Sequence, residues 1–292
     1  MRTVIEMRPS KPEELSRQRE LWKLAFGDSD GYIDLFYQTA AGPEDVLVLL
    51  EDGVVYSMLA LPAVELTLPD GDTASSAYVY ALATDPAARG RGYGRMLLRY
   101  VDFYLRERGV DCVTVVPAEE SLHKFFASVD FAECFTASWT DLPAGEIGAP
   151  APGDAIEAAD AAAYDALRER LLEGAFHVRY GGGLLAFQAG VSRLSGAGLY
   201  RLRVDGREGC AAAEYDGSRL ILKELLLPPG LQGRGLALVK ERLPAGTYQA
   251  RGPYSASELG EARSFGMLKW LNAVFGLKWR GAGDGYLGLA FD

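Results

Sequence analysis

The spacing of apolar positions changes character along the chain, and each change marks an element. From Pro12-Glu13-Glu14 to Phe26 apolar residues recur at helical spacing, with acids in the first turn and Gly27 at the end, which predicts a helix. A second short helix is expected from Tyr32 to Ala40, capped by Asp30. The period then drops to two. Val46–Leu50, Val54–Leu68 and Ser75–Ala83 read as strands, separated by the turn formers Glu51-Asp52-Gly53 and Pro69-Asp70-Gly71-Asp72. A long helix is predicted from about Gly92 to Arg108, with Leu97, Leu98, Val101, Tyr104 and Leu105 on its apolar face and Gly109 as its stop. The apolar run Asp111–Val116 before Pro117, a helix from Ser121 to Val129 and a strand Phe131–Thr140 complete a mixed α/β unit.

Residues 142–163 are rich in Ala, Pro and Gly, and their first part reads as a linker. Beyond it the pattern predicts a helix at 158–173, strands at 197–204, 208–215 and 219–227, a helix near 234–243 and a strand at 246–251. A helix at 258–274 and a last strand at 285–291 follow, while Gly181-Gly182-Gly183 reads as a flexible turn. This order repeats that of the first half. A slide of 143 positions lays Leu82 on Leu225, Pro86 on Pro229, Gly90 on Gly233, Arg91 on Arg234 and Gly92 on Gly235. Five identities in fourteen positions exceed the one or so expected by chance, at an offset near half the chain, so a duplicated domain is inferred. The expected organisation is a first domain at 1–141, a linker at 142–157 and a second domain at 158–292.

With 292 residues, 49% of them hydrophobic and 24% charged, the chain has an ordinary globular composition, which excludes disordered and collagen-like classes. No apolar stretch has the length of a signal peptide core or a membrane span, so the expected location is cytoplasmic, without membrane association. Cys112, Cys134 and Cys210 are odd in number and sit in apolar runs, which fits buried reduced thiols. Two histidines 54 positions apart and no paired cysteines leave no zinc pattern, and no metal is expected. The net charge of −10 lies in the first half: residues 1–141 hold 13 Lys/Arg against 23 Asp/Glu, and the remainder 17 against 17. Between Leu24 and Ala88 there are eleven acids and no base. Such a field excludes nucleic acid as a partner. It either draws in cations or is a solvated face kept for solubility.

The chemistry is concentrated in Tyr80-Ala81-Leu82-Ala83-Thr84-Asp85-Pro86-Ala87-Ala88-Arg89-Gly90-Arg91-Gly92-Tyr93-Gly94-Arg95, where a strand ends, a polar turn follows and glycines open a helix. A helix start offers unpaired N–H groups and positive potential to a phosphate, and glycine lets the ligand approach the backbone. Arg89, Arg91 and Arg95 add positive charge. A P-loop is excluded, since no Gly-Lys-Ser/Thr triplet occurs, and a dinucleotide fingerprint lacks its third glycine.

Arg89, Gly92 and Gly94 match Arg/Gln-x-x-Gly-x-Gly/Ala, so the segment resembles motif A of the GNAT N-acetyltransferases, and Leu82–Pro86 resembles that family's strand ending in proline. The resemblance covers about residues 2–141 and implies an α/β fold (α+β, mixed sheet), the GNAT acyl-CoA N-acyltransferase fold duplicated in tandem. It implies acetyl-CoA as acyl donor: main-chain groups of Leu82, Ala83 and Thr84 facing the pantetheine arm, and N–H groups of Gly90, Arg91, Gly92, Tyr93, Gly94 and Arg95 holding the pyrophosphate. It places Ser121 near the pantetheine end, though a helix N-cap explains that serine as well. The family's Leu-Tyr-x-x-x-Gly-Phe, whose tyrosine protonates the leaving thiolate, is here Phe125-Phe126-Ala127-Ser128-Val129-Asp130-Phe131, so Phe126 lacks the acid. Tyr80, where many members keep a carboxylate base, is the catalytic candidate; packing in the sheet is its other explanation.

The second motif, Gln232-Gly233-Arg234-Gly235-Leu236-Ala237, reads as a degenerate copy. The tandem arrangement and Leu21–Asp28 are also similar to bacterial acetyltransferases related to the enhanced-intracellular-survival group. The expected function is N-acetyl transfer to a small, cationic primary amine. A non-catalytic acyl-CoA-binding module and a peptide N-terminal acetyltransferase stay open, as does oligomerisation.

Overall fold

The computed structural model describes residues 3–253, 260–279 and 285–292. The chain forms two compact units, Met1–Leu66 with Thr73–Ala132 and Met267–Gly281, and Thr67–Asp72 with Glu133–Gly266 and Ala282–Asp292.

The first unit begins with β1 (Ile5–Pro9), α1 (Leu15–Phe26) and α2 (Asp30–Thr39), then β2 (Val46–Glu51), β3 (Val54–Ala60), β4 (Ala63–Thr67) and β5 (Thr73–Thr84). It continues with α3 (Tyr93–Arg106), β6 (Cys112–Val115) and α4 (Glu120–Ala127). The apolar face predicted for α3 is buried: Leu97, Leu98, Val101 and Leu105 pack with Leu47, Leu59, Val79 and Val113 in one core. β1 was not anticipated, because its alternating IEMRP is short and half-buried. Val54–Leu68 is two strands, since Pro62 cannot donate to the ladder. Ser29, not Asp30, caps α2: its hydroxyl accepts from the Tyr32 N–H at 3.3 Å.

After α4 the chain runs through β7 (Ala132–Pro143), β8 (Ala155–Ala159), α5 (Ala161–Leu171), β9 (His177–Tyr180), α6 (Gly182–Leu194), β10 (Gly198–Val204), β11 (Arg207–Asp216) and β12 (Arg219–Leu226). It closes with α7 (Gln232–Arg242), β13 (Thr247–Gly252), β14 (Glu261–Trp270) and α8 (Ala273–Lys278). Gly181-Gly182-Gly183 is the cap and first turn of α6, not a free turn. The expected helix 258–274 is β14 over its described middle, with α8 after it; residues 258 and 259 lie outside the described residues. The run EARSFGMLKW satisfies both periods, and pairing decides between them. The expected strand 285–291 makes only single bridges, Phe135 to Gly285 and His177 to Tyr286. Backbone N–H groups of Thr136 and Val178 donate to Gly285 O and Tyr286 O, and beyond them the Tyr180 hydroxyl is shared between Leu287 O, at 2.9 Å, and Leu289 O.

The duplication appears in the sheets. In the first unit β1-β2-β3-β5-β6-β14 pair in the order antiparallel, antiparallel, antiparallel, parallel, antiparallel. In the second unit β8-β10-β11-β12-β13-β7 repeat that order. The last strand of each sheet comes from the other half of the sequence. The end of β14 pairs with β6 from Met267↔Val115 to Trp270↔Cys112, and β7 pairs with β13 from Thr247↔Pro143 to Gly252↔Ser138. Lys269 fastens β14 in the first unit, donating to Val129 O at 2.9 Å and ion-pairing with Asp102. The division expected at residue 141 thus follows the motif repeat, whereas the compact units follow strand pairing. Within the expected linker lie the end of β7, a single turn at Ala144–Glu146 and the start of β8.

Among the described residues no helix is long and apolar enough to cross a membrane, and no three His, Cys, Asp or Glu residues form a group that could hold a metal.

Candidate active site

β5 and β6 part company where the motif begins. Their parallel pairing runs from Ser76↔Cys112 to Val79↔Val115, yet β5 continues to Thr84. Tyr80, Ala81, Leu82, Ala83 and Thr84 therefore extend beyond the last β6 partner. On the other side β5 stays on β3, but Met58↔Ala83 is followed by Ala60↔Tyr80, so three steps on β5 face two on β3. The bulge is taken up at Ala81, whose φ of +49° is uncommon for a residue with a Cβ. Buried Ser57 holds the strand end, donating to Ala83 O at 2.9 Å and bonding Thr84 Oγ1 at 2.9 Å.

Asp85 then shapes the turn. Its carboxylate accepts from Ala87 N–H at 2.7 Å and ion-pairs with Arg17, capping the single turn Pro86–Ala88. Gly90 and Gly92 both have φ of +80°, and a Cβ at either position would meet nothing within 4 Å. Gly92 caps α3, whose first N–H groups have no partner inside the helix. Gly94 faces Thr84 Oγ1, Leu82 Cδ1 and Phe125 Cζ at 3.6, 3.9 and 3.9 Å from its ideal Cβ, which places the free end of β5 beside the first turn of α3. The three arginines differ. Arg89 is exposed, Arg95 donates to Ser128 Oγ at 3.1 Å, and Arg91 is held by both carboxylate oxygens of Glu51.

Tyr80 lies in an aromatic box. Its ring packs on Trp22, Phe36 and Tyr78 with centroids 5.6, 5.3 and 5.9 Å away, and its hydroxyl meets that of Tyr32 at 2.5 Å. Burial first, then the Tyr32 hydroxyl, pushes the Tyr80 phenol well above its ordinary value, so it stays neutral. Asp28 accepts from the Trp22 indole at 2.7 Å, and burial pushes its carboxyl up. Trp22 and Asp28 lie in the segment Leu21–Asp28 that carries the second resemblance, which did not mark them as neighbours of Tyr80; Tyr32 meets Tyr80 across 48 positions of sequence.

Ser121 is not the N-cap of α4. Glu119 takes that position, and Ser121, exposed one residue inside the helix, donates to the Glu119 carboxylate at 3.3 Å. Phe126 is buried against Phe125 and Phe131, and Asp130 adopts φ of +71° at the family's glycine position.

The acidic stretch is less bare than its composition suggests. Arg19 pairs with Asp30 and Asp34, Lys23 with Asp30, Arg17 with Asp85 and Arg91 with Glu51.

The second loop is built differently. α7 starts at Gln232, and the Gly235 N–H donates to Leu231 O at 2.9 Å. A Cβ on Gly235 would lie 2.2 Å from Leu227 Cδ1, so that side chain covers the position matching Gly92. A separate groove of about 560 Å³ is lined by residues 150–156 and by Leu238, Glu241 and Arg242 at the end of α7.

Residues 6–127 match the acetyltransferase (GNAT) domain family. Among curated proteins no sequence match is found. A GCN5-related N-acetyltransferase from Anabaena variabilis superimposes with a TM-score of 0.70 at 14% identity, covering 92% of this chain and 74% of that one. Eis1 from Mycobacterium abscessus gives 0.66 at 13% identity, over 92% and 74% of the two chains. A tandem GNAT protein from the clavulanic acid biosynthesis pathway gives 0.56 at 14% identity, over 92% and 99%. At these identities the likeness is one of fold.

Proposed function

The chain carries a GNAT acetyltransferase domain over residues 6–127, and from that premise we propose that it transfers an acetyl group from acetyl-CoA to the primary amine of a small, cationic acceptor. Acyl transfer is the chemistry of the family; the donor, the acceptor and the residue roles are the reading argued here. The observation that carries it is the free end of β5, Tyr80 to Thr84, lying beside an open, left-handed glycine at the start of α3. The edge of β5 that β6 leaves uncovered at Leu82, Ala83 and Thr84 suits an amide-rich pantetheine arm. The N–H groups from Gly90 to Arg95 suit a pyrophosphate, with Arg89 and Arg95 nearby. Ser121, exposed at the start of α4, is available to the thiol end.

In the reaction the ammonium first loses a proton to water. The amine nitrogen then bonds to the thioester carbon, the carbon–sulfur bond breaks, and the second proton that the nitrogen sheds ends on the thiolate, leaving an amide and a free thiol. In this reading Tyr80, kept neutral, is the donor to the developing oxyanion or the leaving sulfur, in the role Phe126 cannot fill. Asp28 and the acids around it favour a cationic acceptor, and the aromatic walls add cation–π attraction.

The test is thiol release from acetyl-CoA across a panel of amines, beside calorimetric binding of coenzyme A. Turnover on cationic amines, falling with salt, supports the proposal. Binding without turnover on any amine would replace it with an acyl-CoA-binding module, and preference for a neutral amine unaffected by salt would reduce the acids to a solvated surface.

A further inference from the structure

Of the three motif arginines, Arg95 donates to a serine hydroxyl, whereas Arg91 is held by a carboxylate. Its Nη1 donates to Glu51 Oε2 at 2.6 Å, its Nη2 to Glu51 Oε1, and its guanidinium lies 4.8 Å from the Tyr93 ring centroid. Glu51 ends β2 with its side chain only 12% exposed, and the hydrogen bonds from Arg91 hold its carboxyl below its ordinary value. The fork therefore ties a residue flanked by two left-handed glycines to the end of β2, a strand paired on both sides.

The duplicated half provides an internal control. Arg234, the counterpart of Arg91, donates to Asp154 from Nε at 3.1 Å and from Nη2 at 2.7 Å, and pairs with Asp205 at 3.4 Å. Asp205 follows β10, the strand that takes the place of β2 in the second sheet. In that copy Leu227 covers Gly235 and the helix has absorbed its N–H, so the arginine keeps its carboxylate partners where the loop has no room for a phosphate.

We propose that Arg91 is a positioning residue: it clamps the 89–92 loop to Glu51 so that the N–H groups at the start of α3 converge on the pyrophosphate, and it does not itself hold the phosphates. This rests on the reading of that loop as the acyl-CoA site.

The sign of one substitution separates the clamp from a phosphate ligand. Glu51→Gln removes a negative charge near a polyanion. If Arg91 were a ligand, coenzyme A would bind more tightly or equally well; under the clamp it binds about three- to tenfold more weakly, because the fork is lost. Arg91→Glu should weaken binding about tenfold, and the exchanged pair Glu51→Arg with Arg91→Glu should restore it to within about threefold. Calorimetry with coenzyme A gives these values, and thermal melting of each full-length variant confirms that it folds. The slope of log Kd against log salt gives an independent readout from Arg91→Met: an unchanged slope supports the clamp, and a slope reduced by about one charge overturns it. Tighter binding by Glu51→Gln, or no rescue by the exchange, also overturns it. Gly92→Val serves as the control. If that variant binds coenzyme A normally, the acyl-CoA reading of the loop fails; if it loses binding while Glu51→Gln is neutral, only the clamp fails.

Discussion

Two loops, 143 residues apart, share a glycine–arginine spelling and reach opposite ends. In the first, Gly92 stands in the left-handed region with open space above it, and α3 starts only at Tyr93. In the second, α7 begins at Gln232, four positions earlier in register, and Gly235 is an ordinary helical residue under Leu227. A left-handed glycine stops the helix from propagating backwards and leaves N–H groups turned outward. Without it, the helix extends and consumes them. The strands before the loops differ in the same sense: both bulge, but at the place of Tyr80 the copy has Lys223, buried and paired with Asp292 and Glu214. A motif of this kind specifies a site only where the backbone stays open and no neighbouring side chain fills the space.

The strongest test of that contrast uses the paired glycines. Gly92→Val is expected to weaken coenzyme A binding by about a hundredfold or more, since it displaces at least two charge-assisted hydrogen bonds worth about 1.5–3 kcal/mol each. The left-handed conformation adds a stability cost of about 1–2 kcal/mol. Gly235→Ala should do the reverse: a new methyl 2.2 Å from Leu227 lowers the melting temperature through overpacking of about 1–3 kcal/mol while coenzyme A affinity is unchanged. A calorimetric stoichiometry of two per chain would break the comparison outright.

Next come the strand positions. Tyr80→Phe should lower kcat by roughly ten- to a thousandfold with little change in KM, the scale of a lost proton or oxyanion donor. Because the Tyr80 phenol is raised, the wild-type rate should show no phenol titration below about pH 10. Lys223→Met, at the matching place, should leave kcat unchanged and reduce stability only. An equal loss of rate in both variants would show that Tyr80 is structural.

A smaller effect is expected from acid. Burial pushes the Asp292 carboxyl up, but Lys223 and Arg251 outweigh it and hold it well below its ordinary value. A carboxylate depressed in the folded state contributes stability above its unfolded value of about 3.9 and loses it as pH falls through the folded one. Melting followed from pH 6 to pH 2 should show this loss in the wild type, and a shallower one in Asp292→Asn. The smallest effect is Gly94→Ala. Its neighbours stand 3.6–3.9 Å from the new methyl and the copy already has Ala237, so affinity should stay within about threefold.

The glycine–arginine loop was legible because its requirements are local: a strand, glycines and a helix start lie within sixteen consecutive residues. The amphipathic α3 and most strands were legible for the same reason, as was the repeat. Tyr80 could be picked out only by its place in the motif; Leu21–Asp28 was noticed by resemblance, but nothing local says that Trp22, Asp28 and Tyr32 build the surroundings of Tyr80. Ser121 looked like a helix cap, but the helix begins one residue earlier than its sequence suggests.

Sequence by itself thus determined the elements, the duplication and the position of the loop, because hydrophobic period and glycine placement act over a few residues. Tertiary structure decided which strand completes each sheet: the stretch read as a helix over 258–274 becomes β14 by pairing with β6, while β7, read as a strand, pairs with β13. It also decided charge. Eleven acids without a base between residues 24 and 88 form a uniform field on paper, yet Arg17, Arg19, Lys23 and Arg91 fold back onto four of them. Coulomb interactions depend on distance in space, not along the chain, so composition could give the sign of the field but not where it remains.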